Sequence, residues 1–358
     1  MYQALELIVL RKNPTLSLLL IVLVTVSLCV PIFAAGTDTT VTIGGKSYDA
    51  DAMSVTVTDP DVQELTQKLP RFSRLQTVSL DGNLPARESL LTLKEAFPGV
   101  CFAWEFSLCG VQVHTQAEFV DLSGIPLEDT SELIAALPLF HNLKQVDMVD
   151  CGISNEDMEA LNRNHPGTKF VWAVQLRGIK LRTDATAFMP TKEGYRVDST
   201  DCQLLRYCHD LEFIDLGHMP VSDCSFLYET PNVKCLILAD TGVSDAAPIG
   251  SLMKLEFLEL FMSKITDYAP LANCTSLKDL NLCFTNAYNQ NALLQLQQLD
   301  RLWLAGGTLS SQDIEALQQA LPQTMVCCYS KSSTNHGWRY SPHYYLQRDA
   351  YGMPYSYS

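Results

Sequence analysis

The chain has few charges, and fewest of positive sign. Asp, Glu, Lys and Arg make up 18% of its 358 residues, and 25 Lys and Arg stand against 40 Asp and Glu, a formal net charge of −15. Nucleic-acid binders carry a basic footprint, so this balance argues against a phosphate-binding surface. Signatures of catalysis are also lacking. There is no G-x-S-x-G, H-E-x-x-H, P-loop or G-x-G-x-x-G. No C-x-x-C occurs, and Cys327-Cys328 with His336 and His343 has the wrong spacing for zinc, so no metal and no cofactor is expected. The 7 histidines are scattered; His218, near Asp215 and Asp223, reads as structural. What is present is apolar: 47% hydrophobic residues exclude bulk disorder. A length of 358 exceeds what one core of about 150 residues needs, so several domains or one elongated repeat array is expected.

There is one long apolar run. Leu16 to Ala35 is a 20-residue stretch without a charge, preceded by Arg11 and Lys12 and ending in the small residues Ala34-Ala35-Gly36. This is the pattern of a secretory signal cleaved near Gly36. Twenty residues also span a bilayer, so a retained anchor stays open. The basic pair remains cytoplasmic in either case, and everything after residue 36 is exported. Cys29 follows Ser27-Leu28 and lacks the small neighbour of a lipoprotein signal.

Internal repetition decides the fold. From Leu211 a 22-residue period runs through Val233, Leu255, Leu277 and Leu299, which open LEFIDL, VKCLIL, LEFLEL, LKDLNL and LDRLWL. Asp201, Asp223, Asp245 and Asp267 recur at the same step, and Pro248 and Pro270 follow. A step of 68 residues relates Leu75 to Leu143, Pro98 to Pro166, Trp104 to Trp172, Gly110 to Gly178 and Thr115 to Thr183. Leu299 to Pro322 makes one more coil, followed by TMVCCY. SVTVT adds a first coil over about 52–74, with Asp59 capping a helix and Pro60 in its first position.

Such repeats stack into a solenoid. Alternate residues of each short strand point inward, and a return segment packs behind. A 22-residue coil leaves room only for a tight 3₁₀-like return. Longer coils, containing SNEDMEALNRNHP and SQDIEALQQALP, have the apolar spacing of a true helix.

These motifs resemble those of the leucine-rich repeat family, and residues 201–322 are similar to the 22-residue internalin-type repeat of bacterial surface proteins. The resemblance implies an α/β leucine-rich repeat solenoid, with parallel strands on a concave face and short helices and 3₁₀ turns on a convex one. It is specific for fold and nearly silent about function. Where that family usually has Asn, this chain has Met219, Thr241, Ser263, Thr285 and Gly307; Asn83 keeps the consensus.

Two insertions, SLCGVQVHT and QLRGIKLRT, place a Gly turn between alternating residues and read as projecting hairpins. Each is either a clamp between coils or a partner-contacting arm. Eleven cysteines remain after the signal. Cys202 and Cys224 share one coil position, and neighbouring coils stack at about 4.8 Å, within reach of a disulfide. The alternative for this pair is ordinary core packing.

The concave face holds the candidate binding residues. In L-x-x-L-x-L, positions three, five and seven point away from the leucine core. They place Phe213, Phe257, Phe261 and Trp303 beside Asp215, Glu259, Asp279 and Arg301. Exposed aromatics among charges are a recognition signature. The alternative is that the C-terminal tail covers them. That tail is rich in Tyr, contains Trp338, and carries Lys331, Arg339 and Arg348 against Asp349, opposite in sign to the body. It is too aromatic for a solvated linker and is expected to dock over the last coil as a cap.

The expected layout has a signal peptide or N-terminal membrane anchor over 1–36 and a capping region over 37–74. Longer repeats with two hairpins follow over 75–200, then 22-residue repeats over 201–328 and the docked tail over 329–358. The expected protein is a non-catalytic exported binder of a protein or a cell-surface glycan. It takes no nucleic acid, and meets a membrane only through an uncleaved N-terminus. One rival is an exported hydrolase, recognised by a tight His–carboxylate–Ser or Cys cluster in a closed pocket. The other is a structural envelope component without a discrete ligand, whose concave face its own tail would block.

Overall fold

The computed structural model describes residues 39–286, 290–329, 332 and 334–354. The apolar run of 16–35, Cys29 and the expected cleavage point at Gly36 lie outside the described residues. The chain divides into two compact units, Met1–Phe102 and Ala103–Ser358.

In the first unit, β1 (Thr40–Ile43) turns through Gly44-Gly45 onto the antiparallel β2 (Lys46–Asp49). The two glycines have φ of 56° and 76°, a region side chains disfavour. β3 (Ser54–Thr58), β4 (Thr77–Asp81) and β5 (Cys101–Ala103) form a sheet in that order, with β3 parallel to β4. Strict alternation buries Val55 and Val57 against Val78 and Leu80. α1 (Val62–Lys68) follows β3, and α2 (Arg87–Ala96) follows β4, burying Leu90 and Leu93. The helix start differs from expectation. Asp61, not Asp59, is the cap, its carboxylate accepting from Glu64 N at 2.7 Å. Asp59 instead sits at φ 50° and accepts from Asn83 N at 2.7 Å and Nδ2 at 3.0 Å, so it closes a turn between coils.

The second unit opens with the hairpin β6 (Glu105–Leu108) and β7 (Val111–His114). β8 (Phe119–Asp121), α3 (Ser131–Ala136), β9 (Gln145–Asp147), α4 (Asn155–Asn164) and β10 (Lys169–Val171) follow, the strands forming a parallel sheet. A second hairpin comprises β11 (Ala173–Leu176) and β12 (Ile179–Arg182). Both hairpins turn on paired positive φ values, 50° and 84° at Cys109-Gly110 and 38° and 94° at Arg177-Gly178, the mirror-image turn that suits strand twist. Both are tied back within the unit. Cys109 N donates to Glu132 Oε1 at 2.8 Å, and Arg177 pairs with Asp198 and Asp201. Trp104 N and Trp172 N each donate to a Thr hydroxyl 11 residues on, at 3.2 Å, the same bond in both copies of the 68-residue repeat.

The rest is one sheet of seven parallel strands in sequence order: β13 (Ala187–Phe188), β14 (Phe213–Asp215), β15 (Cys235–Ile237), β16 (Phe257–Glu259), β17 (Asp279–Asn281), β18 (Arg301–Trp303) and β19 (Met325–Cys327). From β14 to β18 each residue faces the one 22 positions on. Return segments follow coil length. Three of the four 22-residue coils return through 3₁₀ turns at Ser225–Glu229, Ile249–Ser251 and Ala269–Asn273, the fourth departs from expectation by returning through a short α-helix at Gln290–Leu293, and α7 (Ser311–Ala320) serves the longer last coil. The short helices α5 (Ser199–Cys202) and α6 (Gln290–Leu293) complete the set before α8 (Pro342–Ala350).

The repeated aspartates start these returns. Asp223, Asp245 and Asp267 each accept from the backbone N–H two residues on, at 2.8–2.9 Å. Asp201 departs from the column by closing a capping box with Asp198. In place of an asparagine ladder, Thr241 and Thr285 donate their hydroxyls to the carbonyls of Leu238 and Leu282, at 2.8 and 2.7 Å. Another column had no sequence signal. His218, Asp240, Met262 and Phe284 all have left-handed φ of 52–61°, and Gly306 continues them at 68°. Left-handed backbone costs about 1–2 kcal/mol per non-Gly residue. The first four each recover a hydrogen bond from their own N–H to a carbonyl of the next coil, at 2.6–3.0 Å. Cys202 and Cys224 are buried free thiols, so of the two readings open for the pair the structure has core packing and not the bridge. Each packs as a small apolar side chain, 0% and 2% exposed, with its thiol pushed up to about 12 by burial.

Candidate functional site

Strand alternation aims the leucines of β14–β18 inward and the residues between them at the concave face. All eight sequence candidates reach that face, but they do not form an open surface. Phe257 and Trp303 are 0% exposed, Glu259 2% and Asp279 3%, while Phe213, Asp215, Phe261 and Arg301 are half-buried. The expectation of exposed aromatics is therefore corrected. The chain's own residues 334–354 lie on the strands. This segment docks across the concave strands, where docking over the last coil was expected.

Trp338 is the centre of that contact. Its ring is fully buried, with centroids 4.8 Å from Phe257 and 5.3 Å from Trp303. Its Nε1 donates to Glu259 Oε2 at 2.7 Å. The Arg301 guanidinium lies 5.1 Å from the same ring and donates to the carbonyls of Gly337 and Trp338 at 3.0 and 3.1 Å. Trp303 Nε1 donates to Asn335 O at 3.1 Å, so both indoles are satisfied.

A second contact gathers on Asp279. Its carboxylate accepts from Arg301 Nε, from Ser341 Oγ at 2.6 Å and from His343 Nδ1 at 2.8 Å. Burial pushes the carboxyl up, but these three donors outweigh it and hold it below the usual range. The bond to Asp279 raises His343 in turn, against burial, and Glu256 stands 3.4 Å from His343 Nε2.

Ser341, His343 and Asp279 are the three residue types of a hydrolytic triad. Their connectivity is different. In a triad the hydroxyl hydrogen-bonds one imidazole nitrogen and the carboxylate the other. Here hydroxyl and imidazole converge on one carboxylate oxygen, and Ser341 Oγ also caps α8 by accepting from His343 N at 3.2 Å. Ser341 Oγ donates to Asp279 rather than to an imidazole, and Ser341 is 1% exposed. Among the described residues no group of His, Cys, Asp and Glu is arranged to hold a metal ion.

Toward its end α8 covers the N-terminal concave strands. Burial pushes Asp215 and Glu259 up, opposed by Arg339 among others. Arg348, 4% exposed, donates to Pro354 O at 2.7 and 2.9 Å. Sequence reasoning overlooked Ser341, His343, Gln347 and Tyr351 as partners of this face. The available signal was the tail's aromatic density and its reversed charge.

Seven parallel strands, with β14 to β18 in 22-residue register and 3₁₀ returns between most of them, define a leucine-rich repeat solenoid. Among solved structures, the chain is similar to an internalin C2 of Listeria monocytogenes, at 19% identity over 39% of this chain and 72% of that one, with a TM-score of 0.31. It is also similar to a second internalin of that bacterium, at 14% identity over 82% and 88%, TM-score 0.33. A leucine-rich repeat protein of Leptospira interrogans shows 16% identity over 74% of each chain, TM-score 0.33. At these scores the likeness carries no functional argument, and the fold assignment rests on this chain's own register and returns. No family model matches the chain, and no curated protein does.

Proposed function

We propose that the protein is a non-catalytic scaffold that acts outside the cytoplasm and recognises polypeptide on its concave strands. The observation that carries this reading is the occupied face itself. It holds a polypeptide segment through a buried indole, a shared carboxylate and an arginine that reads backbone carbonyls. Those are the contacts of an interface, with an aromatic anchor at the centre and charge-assisted bonds around it. Export rests on the apolar run at 16–35. No helix of the described residues is long and apolar enough to cross a membrane.

The test is to place a protease site within residues 330–333 and cut the folded protein there. The freed tail should remain bound and should exchange with labelled peptide of residues 332–354. Loss of the tail on cutting, with no rebinding of peptide, would show that the face has no affinity of its own. A second reading has support from the same observation: a structural envelope component was expected to have its concave face blocked. On that reading the cut tail stays but never exchanges, and the uncut chain captures no partner from cell-surface extracts.

A further inference from the structure

Between α8 and the first concave strands lies a cleft of about 350 Å³. Its size falls at the lower end of ligand pockets, which run from about 300 to 1,000 Å³. Gln347 Oε1 and Tyr351 OH, in residues of its lining, have no hydrogen-bond partner among the described residues. Both residues are deeply buried, 1% and 4% exposed. Buried polar side chains are nearly always partnered, so two orphans in one cleft point to a ligand. They sit four residues apart, one helical turn, and so side by side.

The remaining lining indicates what kind of ligand. Gln347 Oε1 only accepts, so the ligand must donate to it; the Tyr351 hydroxyl does either. Two carboxylates, Asp215 and Glu259, stand with two guanidinium groups, Arg339 and Arg348. In formal charge two acids balance two bases, with His218 beside them, so the lining has no large excess of one sign. Several of these groups are already engaged: Asp215 accepts from Gly217 N at 2.9 Å, Glu259 from Trp338, and Arg348 donates to Pro354 O. Phe261 and Tyr344 add apolar ring surface. A neutral molecule with many hydroxyls meets all of this. Each hydroxyl donates and accepts, and the C–H face of a pyranose packs on an aromatic ring.

We propose that this cleft binds a neutral sugar, one or two pyranose units in size. The site is independent of the polypeptide reading, because its ligand contacts α8 and Tyr351 while the tail stays docked. Tail retention after cleavage and sugar binding are measured separately, so one result does not decide the other.

The experiment uses the full chain. Glucose, galactose, mannose, N-acetylglucosamine and their common disaccharides are offered at millimolar concentration, with saturation-transfer NMR as readout. Glucuronate and glucosamine serve as charged comparisons. At least one neutral sugar should bind. Tyr351→Phe removes only the hydroxyl, and Gln347→Met keeps the length while removing the acceptor. Each should weaken binding about tenfold, the effect of losing one well-placed hydrogen bond. Neither should lower the melting temperature, since each removes an atom that has no partner in the free protein. The proposal is overturned if no neutral sugar binds, if a charged one binds better, or if both variants bind like the wild type. It is also overturned if a crystal soaked in the best-binding sugar shows only water in the cleft.

Discussion

Replacing Trp338 with Ala should release the tail without unfolding the repeats. The indole is 0% exposed, and truncating a buried Trp costs about 3–5 kcal/mol. The lost N–H also leaves Glu259 without its 2.7 Å donor, worth about 1–3 kcal/mol for a buried acceptor. That second cost is softened, because burial already pushes the Glu259 carboxyl up and protonation relieves it. From the packing cost alone, about 3–5 kcal/mol, the undocked population rises roughly 10²- to 10⁴-fold.

Trypsin reads this directly. Arg339 and Arg348 are cleavage sites within the docked segment, and Arg348 is 4% exposed. Cleavage of the opened form tracks its population when reclosing is fast, so the rate at Arg348 should rise by the same factor. Trp338→Phe keeps most of the ring contact and loses the donor, so its effect should fall between wild type and Trp338→Ala. Leu258→Ala is the control. Leu258 points to the opposite side of β16 and is 0% exposed, so about 2–5 kcal/mol is lost from the repeats themselves and their melting temperature falls. If Trp338→Ala leaves both the cleavage rate at Arg348 and the melting curve unchanged, the indole is not what holds the tail.

Docking should also weaken as pH rises. His343 is raised above 6.5 by Asp279, and burial raises Asp215 above 3.8 and Glu259 above 4.5. A raised group favours docking fully below its free value and loses that share as pH climbs through its docked value. Asp279, held below 3.8, acts oppositely and loses its share only as pH falls through its docked value. Glu256, Arg301, Arg339, Arg348 and His218 also face these groups. Tryptophan fluorescence should therefore report the firmest docking at mildly acid pH and loosening above about pH 6.5; a flat profile from pH 5 to 9 would contradict the assignment. Cys202, Cys208, Cys224, Cys274 and Cys283 are pushed up to about 12 by burial, so a thiol reagent at pH 8 should label half-buried Cys101, Cys109 and Cys328 first. Peptide mapping without reductant should show no Cys202–Cys224 link, and finding one would overturn the free-thiol assignment. Residues 1–40 fused to a reporter active only outside the cytoplasm should switch it on; a silent reporter removes the case for export.

The repeats were legible because their information is periodic. A leucine every 22 residues says where each strand lies, and strand alternation says which way Phe257 and Trp303 point. Nothing periodic says what lies above them. Phe257 has the same sequence environment whether it meets solvent or Trp338, 81 residues away. Alternation therefore predicts direction and leaves exposure open. The helix cap misassigned to Asp59 has a related cause: Asp59 and Asp61 are both competent caps, and the choice follows from a bond to Asn83 across the coil. The left-handed column was hidden for another reason. His218, Asp240, Met262 and Phe284 share no chemistry, since what they share is a backbone N–H donating to the next coil.

The tail's composition carried more information than its spacing. A segment with four described aromatics buried or half-buried on an acidic face, with Arg339 near Asp215 and Glu259 and with Ser341 and His343 on Asp279, is complementary to that face in both polar and apolar contacts. Complementarity of that kind is a relation between two stretches of chain, and each stretch alone reads as a ligand-binding surface or as a ligand. On the proposed reading the concave residues form a recognition site, and the segment they hold is covalently attached. An external partner must then either displace residues 334–354 or use what they leave open, and the cleft beside Gln347 and Tyr351 is the place where the docked segment leaves polar atoms unanswered.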